Sequence, residues 1–203
     1  MVVIGLTGGI ASGKSTAAHY LAEQGAHMID ADKLGHRVYE SDQPAFGKVV
    51  AAFGQDVVGE DGEIDRRALA AKVFGSPEQL KRLTDIAWPE ILAMAKREID
   101  QACAGGASVV VLEAAVLLEA DWQSDVDEVW VVTVEPKAAI ARATARDGVD
   151  AAAVQARIDA QLTNAERVAQ ADVVIDNSGN ETELLAKLEA EWQRLQQAPM
   201  EES

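Results

Sequence analysis

Short apolar runs alternate with stretches of helical periodicity along this chain. Val2–Leu6, Ala26–Ile29, Ser108–Leu112, Glu128–Val134 and Asp172–Asp176 are brief and rich in β-branched residues. Each reads as a strand with both faces covered, since the polar alternation of a half-exposed sheet is weak in them. Between them, Lys14–Gln24, Lys33–Glu40, Pro44–Phe53, Asp65–Phe74 and the stretch from Pro77 to Asp100 read as helices. Pro136–Ala171 is almost continuously helical, and Glu181–Leu195 has the pattern of a final amphipathic helix. Five strands separated by helices imply right-handed crossovers and a parallel sheet with helices on both faces, a three-layer α/β fold.

The punctuation agrees with this reading. Gly25 suits the position just past a helix end, Asp65 and Ser76 suit N-caps, and Pro77 suits a first helical turn. Trp88-Pro89 is expected to kink or break the long helix, because proline removes one hydrogen bond and clashes with the preceding turn. Asp147-Gly148 is expected to join two helices as a hairpin, and Asn177–Asn180 to turn the chain into the last helix, beyond which the tail is expected to fray.

Composition narrows the class. The 203 residues are 48% hydrophobic, enough for one good core, and one domain spanning residues 1–203 is expected. Lys and Arg number 18 against 34 Asp and Glu, a formal charge of −16, which argues against nucleic acid or an anionic membrane as partner. Cys103 is the sole cysteine, so an intrachain disulfide and a cysteine metal cluster are both excluded. Cytoplasmic localisation is expected, given that thiol, the absence of a leader pattern after Met1 and the lack of any apolar run approaching a membrane span. No repeat is visible, nothing points to an obligate protein partner, and His19, His27 and His36 do not fall at metal-ligand spacing.

The candidate chemistry begins at Gly8-Gly9-Ile10-Ala11-Ser12-Gly13-Lys14-Ser15-Thr16. Gly, four residues, then Gly-Lys-Ser/Thr is the phosphate-loop pattern, and it lies between a strand and a helix as required. Chance alone gives its four fixed positions in on the order of one chain in a hundred of this length. Gly8, Gly9, Ala11, Ser12, Gly13, Lys14, Ser15 and Thr16 are therefore the candidate nucleotide-binding residues, with Lys14 aimed at the β- and γ-phosphates and the Ser15 hydroxyl at Mg²⁺.

Asp30-Ala31-Asp32 ends a strand on the expected ligand-binding edge; Asp32 is the better candidate to orient or deprotonate an attacking hydroxyl, while either carboxylate could instead cap the next helix. Arg37 can hold a substrate phosphate or be a solvated helix residue, and Trp88 can wall an acceptor pocket or simply pack. Glu113 ends the clearest central strand, the position from which phosphate-loop enzymes reach Mg²⁺; it can contact the ion through water, bind the acceptor or merely cap the next segment. Arg142, Arg146, Arg157 and Arg167 concentrate in residues 136–171, as in a lid closing over phosphates or in a solvated helix pair held by Arg–Asp/Glu contacts; Arg142 and Arg146 share one helix face, and Arg142 is the preferred catalytic candidate. The Asn-Lys-x-Asp motif that reads guanine is missing.

Gly5-Leu6-Thr7-Gly8-Gly9-Ile10, Ile29-Asp30-Ala31-Asp32, Arg157-Ile158 with Gln161, and Ala171–Asn177 together resemble the dephospho-CoA kinase family over nearly the whole chain. The resemblance implies ATP and dephospho-CoA as substrates, Mg²⁺ as cofactor, and phosphorylation of the ribose 3′-hydroxyl in the last step of coenzyme A synthesis. It also implies a phosphate-loop kinase core (about residues 1–32, 103–135 and 172–197), an acceptor-side helical region (about 33–102) and a lid (about 136–171). By position, Lys14, Asp32 and Arg142 would be catalytic, Arg146 would bind ATP, and Asp32, Arg37, Trp88 and Glu113 would lie on the acceptor side. Trp88-Pro89 replaces the His-Pro of many members, and Glu113-Ala114-Ala115-Val116-Leu117 replaces Asp-x-Pro-Leu-Leu. These variants are similar to the kinase half of bifunctional CoA synthases, although an attached adenylyltransferase is not expected ahead of a chain that starts at the first strand.

Overall fold

The computed structural model describes residues 1–197. In chain order its elements are β1 (Val2–Gly8), α1 (Lys14–Glu23), β2 (His27–Asp30), α2 (Ala31–Arg37), α3 (Pro44–Phe53), α4 (Arg66–Val73) and α5 (Pro77–Ala104). There follow β3 (Val109–Glu113), β4 (Glu128–Thr133), α6 (Pro136–Asp147), α7 (Ala151–Asp159), α8 (Asn164–Val168), β5 (Val173–Asp176) and α9 (Glu181–Gln197). The five strands form one parallel sheet in the order β2-β3-β1-β4-β5.

The weak alternation of the strands has its cause in this topology. Ile4 and Leu6 of β1, Val109 and Val111 of β3, Trp130 and Val132 of β4, and Val173 and Ile175 of β5 pack in one cluster with Ala17 and Leu21 of α1 and Leu184, Leu188 and Trp192 of α9. The intervening residues Val3, Val110, Leu112, Val129 and Val131 are buried as well. With successive side chains pointing to opposite faces, both faces must be covered. The edge strands β2 and β5 are the exceptions: His27 and Val174 are exposed, because an outer strand is covered less completely than a central one.

The chain divides into two compact units, residues 1–29 with the chain from Gln101 onward, and Asp30–Asp100. The second has its own core of Val49, Phe53, Val57, Ile64 and Leu69, with Tyr39, Phe46 and Ile86 packed against it. Asp65 and Ser76 cap their helices as expected, Asp65 accepting from the Arg67 and Ala68 amides and the Ser76 hydroxyl from the Gln79 amide.

Two expectations need adjustment and a third is narrowed. α2 begins two residues earlier than Lys33, because Asp30 takes the N-cap and accepts from the Asp32 and Lys33 amides at 3.0 and 3.1 Å. α5 runs through Pro89 without a break. Pro89 is on the exposed side, where a freed carbonyl can meet water, while Ala87, Ile91, Met94 and Ala95 hold the helix by burial. Residues 136–171 form three helices rather than a two-helix hairpin: Gly148 (φ 65°) ends α6, and a capping box between Thr163 and Glu166 starts α8. The tail expected to fray lies, from residue 198 onward, outside the described residues. No helix among the described residues is long and apolar enough to cross a membrane.

Candidate active site

β1 feeds residues 9–13 directly into the N-terminus of α1. Glycine is required here for steric reasons. A Cβ on Gly8 would lie 2.5 Å from the Val132 carbonyl oxygen, and one on Gly13, at φ +95°, would lie 2.2 Å from Asn177 Nδ2. Ala11 adopts φ 53°, a left-handed conformation that costs a non-glycine residue on the order of 1 kcal/mol, so the loop shape is held by its surroundings. Part of that hold is visible: Asn177 Nδ2, buried, donates to the Ser12 carbonyl at 2.7 Å, and Ile10 N–H donates to Gln161 Oε1 at 3.1 Å. The Ser12 hydroxyl is buried without a partner, whereas Ser15 and Thr16 are exposed in the first turn of α1.

Lys14 Nζ lies 2.5 Å from Glu113 Oε1, both side chains being largely buried. The register that sets Leu6 beside Glu113 explains the meeting, since it brings the end of β3 alongside the strand that leads into the loop. A partly desolvated ammonium beside a carboxylate is a strong, charge-assisted contact. An arriving polyphosphate would compete for the same lysine.

Among the described residues no group of three or more His, Cys, Asp or Glu is arranged to hold a metal. An ion at this loop would draw its ligands from phosphate oxygens, water and the exposed Ser15 hydroxyl. That donor set suits Mg²⁺, a hard cation that retains waters and is bound together with substrate phosphates.

The arginines of residues 136–171 do not act as one group. Arg142 Nη2 donates to the Gly179 carbonyl at 3.2 Å in the turn after β5, where the Ser178 hydroxyl donates to Asp176 at 2.6 Å and holds that carboxyl below its usual range. Arg146 is exposed and paired with Asp147 at 2.7 and 2.9 Å, and this pairing keeps Asp147 acidic. Arg157 is exposed. Arg167 is fully buried, its Nη2 donating to Glu119 at 2.7 Å and its Nε to the Leu162 carbonyl at 3.3 Å.

In the second unit, Asp32 sits exposed in the first turn of α2 while Asp30 serves as its cap. Arg37, also exposed, pairs with Glu98 at 3.1 Å, and Trp88 is half-buried on α5. Asn177 and Gln161 are the contacts that residue-by-residue reading did not assign to a site. A polar residue directly after an apolar strand and a capping box two positions past Gln161 were the available signals, but neither names a partner 165 or 151 residues away.

Sheet order, glycine-tight loop and lysine at a helix start define a phosphate-loop kinase fold. Comparison with known proteins carries this further. The family model described as dephospho-CoA kinase matches residues 2–183. The chain belongs to the dephospho-CoA kinase family. It is 44% identical over 178 residues to the dephospho-CoA kinase of Carboxydothermus hydrogenoformans, covering 88% of this chain and 86% of the relative. With that of Geobacter sulfurreducens it shares 41% over 192 residues, covering 95% and 98%. A Thermus thermophilus crystal structure superposes with a TM-score of 0.79 at 33% identity, covering 96% of this chain and 97% of the other. Dephospho-CoA kinase from Campylobacter jejuni (TM-score 0.70, 24% identity, 95% and 96% covered) and shikimate kinase from Bacteroides thetaiotaomicron (0.55, 14%, 96% and 98%) share the fold.

Proposed function

We infer that this chain transfers the γ-phosphoryl group of ATP to the ribose 3′-hydroxyl of dephospho-CoA, giving coenzyme A and ADP. The observation that carries the reading is the family match over residues 2–183 on a chain whose phosphate loop is intact.

In the reaction the acceptor oxygen forms a bond to γ-phosphorus as the bond to the β–γ bridging oxygen breaks, and the hydroxyl proton passes to a base. Catalysis is mainly positioning and charge neutralisation. Lys14 and the backbone amides of Gly8, Gly9, Ala11, Ser12, Gly13, Ser15 and Thr16 hold the phosphates, Lys14 exchanging Glu113 for them. Ser15 would hold Mg²⁺, which would supply charge neutralisation at the phosphate oxygens when bound. Arg142 and Arg146 serve the nucleotide from the lid. Asp32 takes the proton; Asp30, committed to the helix cap, is less suited to it. Arg37, Trp88 and Glu113 stand on the acceptor side. The enzyme works in the cytoplasm.

An ADP-release assay with dephospho-CoA, adenosine, AMP and CMP as acceptors tests the reading: turnover is expected with dephospho-CoA, and turnover only with another acceptor overturns it. Asp32→Asn should lower kcat by about 10² to 10⁴ while ATP affinity stays near wild type. A mutant as active as wild type would remove Asp32 from the mechanism.

A further inference from the structure

Residues 160–163 link α7 to α8, and the segment that follows them is fastened to the sheet unit. Asn164 Nδ2 donates to the Val134 carbonyl at 2.8 Å, Thr163 and Glu166 close a capping box, and buried Arg167 grips both Glu119 and the Leu162 carbonyl. Gln161, whose own amide donates to the Ile158 carbonyl at 3.1 Å, therefore starts from a backbone that is held on both sides. From there its side chain, which lines a cleft of about 360 Å³ together with Gly9, Ile10, Val134, Ile158 and Leu162, accepts the Ile10 N–H at 3.1 Å.

This contact fixes more than a distance. A backbone N–H can meet only the oxygen of a carboxamide, so the amide's orientation is set by chemistry. Ile10 neighbours Ala11, the loop residue in the left-handed conformation, so the bond restrains the loop where its backbone is most strained. Loop amides bind phosphate only when aligned before the ligand arrives, and a loop that must be ordered on binding loses affinity.

We propose that Gln161 is a positioning residue for nucleotide binding: its carboxamide oxygen tethers the phosphate loop at Ile10 to the α7–α8 segment and keeps the loop amides aligned for the polyphosphate. The proposal rests on the phosphate loop being the ATP site, as in the function proposed above, and adds a residue that touches the loop and not the reacting atoms.

Gln161→Met, similar in length but with no comparable acceptor, tests it by calorimetric titration with MgATP in the absence of any acceptor. The expected result is a Kd for ATP raised by about threefold to tenfold, the range for loss of one neutral hydrogen bond. The KM for dephospho-CoA should change by less than about twofold, and Ile10 amide hydrogen exchange should accelerate by about tenfold. Gln161→Glu keeps an acceptor oxygen and should restore slow exchange at Ile10. If Gln161→Met does not fold, Gln161→Asn, too short to span the bond, is read in the same way. An ATP Kd within about twofold of wild type overturns the proposal whatever the exchange shows. Since no acceptor is present in the titration, this outcome is separate from whether the wild-type chain phosphorylates dephospho-CoA.

Discussion

Removing Glu119 should destabilise this protein more than removing both members of its ion pair. Arg167 is fully buried, its Nη2 sits 2.7 Å from Glu119 Oε1, and its Nη1 has no partner. The Glu119 side chain is 23% exposed, and its Oε2 is also unpartnered. Glu119→Ala leaves a desolvated guanidinium with only the Leu162 carbonyl, and an uncompensated buried charge costs about 3–5 kcal/mol. Water reaching the vacated, partly exposed site moves the expectation to the lower end, about 3 kcal/mol. Glu119→Leu with Arg167→Met removes the charges together and should cost about 1 kcal/mol or less, since apolar replacement of a buried pair is often neutral.

Urea unfolding followed by far-UV circular dichroism and tryptophan fluorescence reads both variants. With a slope of about 2–3 kcal/mol per molar urea, Glu119→Ala should lower the midpoint by about 1 M or more. A shift corresponding to less than about 0.5 kcal/mol, or a double variant worse than the single, would refute the claim that charge burial dominates here.

Three further outcomes follow from the geometry. Gly13→Ala combines a φ of +95° with a Cβ 2.2 Å from Asn177 Nδ2, so it should cost about 2–4 kcal/mol in urea unfolding and weaken ATP binding in titration. Lys14→Met should reduce kcat/KM by about 10² to 10³ in the ADP-release assay, the usual loss when one donor to developing charge is removed. The Arg194 guanidinium, then Trp130 Nε1, hold the Glu128 carboxyl below its ordinary value of 4.5, so the unfolded state binds the proton more readily. Its contribution is complete above that value and is lost as pH falls through the lower folded value; Glu128→Gln should flatten stability against pH in that acid window, read by thermal melts.

The phosphate loop, the strand runs and most helix starts were legible because they are local. A glycine pattern, a β-branched run or an Asp at a cap acts within a few residues of itself, and Asp65 and Ser76 took the positions their chemistry favours. Of the kink or break that Pro89 announces, the break does not occur, because its local cost is outweighed by apolar burial along α5. The third helix of residues 136–171 was missed although Thr163 and Glu166 are spaced as a capping box, since continuous helical composition masked it. The site residues were recognisable as types, yet their contacts were not: arginine is ordinarily exposed, and nothing near Arg167 in the chain announces Glu119, 48 residues earlier.

The amino-acid order by itself determined a parallel α/β chain with a glycine-rich turn of phosphate-loop pattern after its first strand, and the motifs that resemble dephospho-CoA kinase. Periodicity and capping act over one or two turns of chain, which is why these were readable. The strand order β2-β3-β1-β4-β5 was decided only by the tertiary structure. So were the pairing of Lys14 with Glu113, the hold of Asn177 and Gln161 on the loop, and the burial of Arg167. Each of these joins groups far apart in sequence, and their free energy depends on desolvation and alignment that exist only once the sheet has assembled.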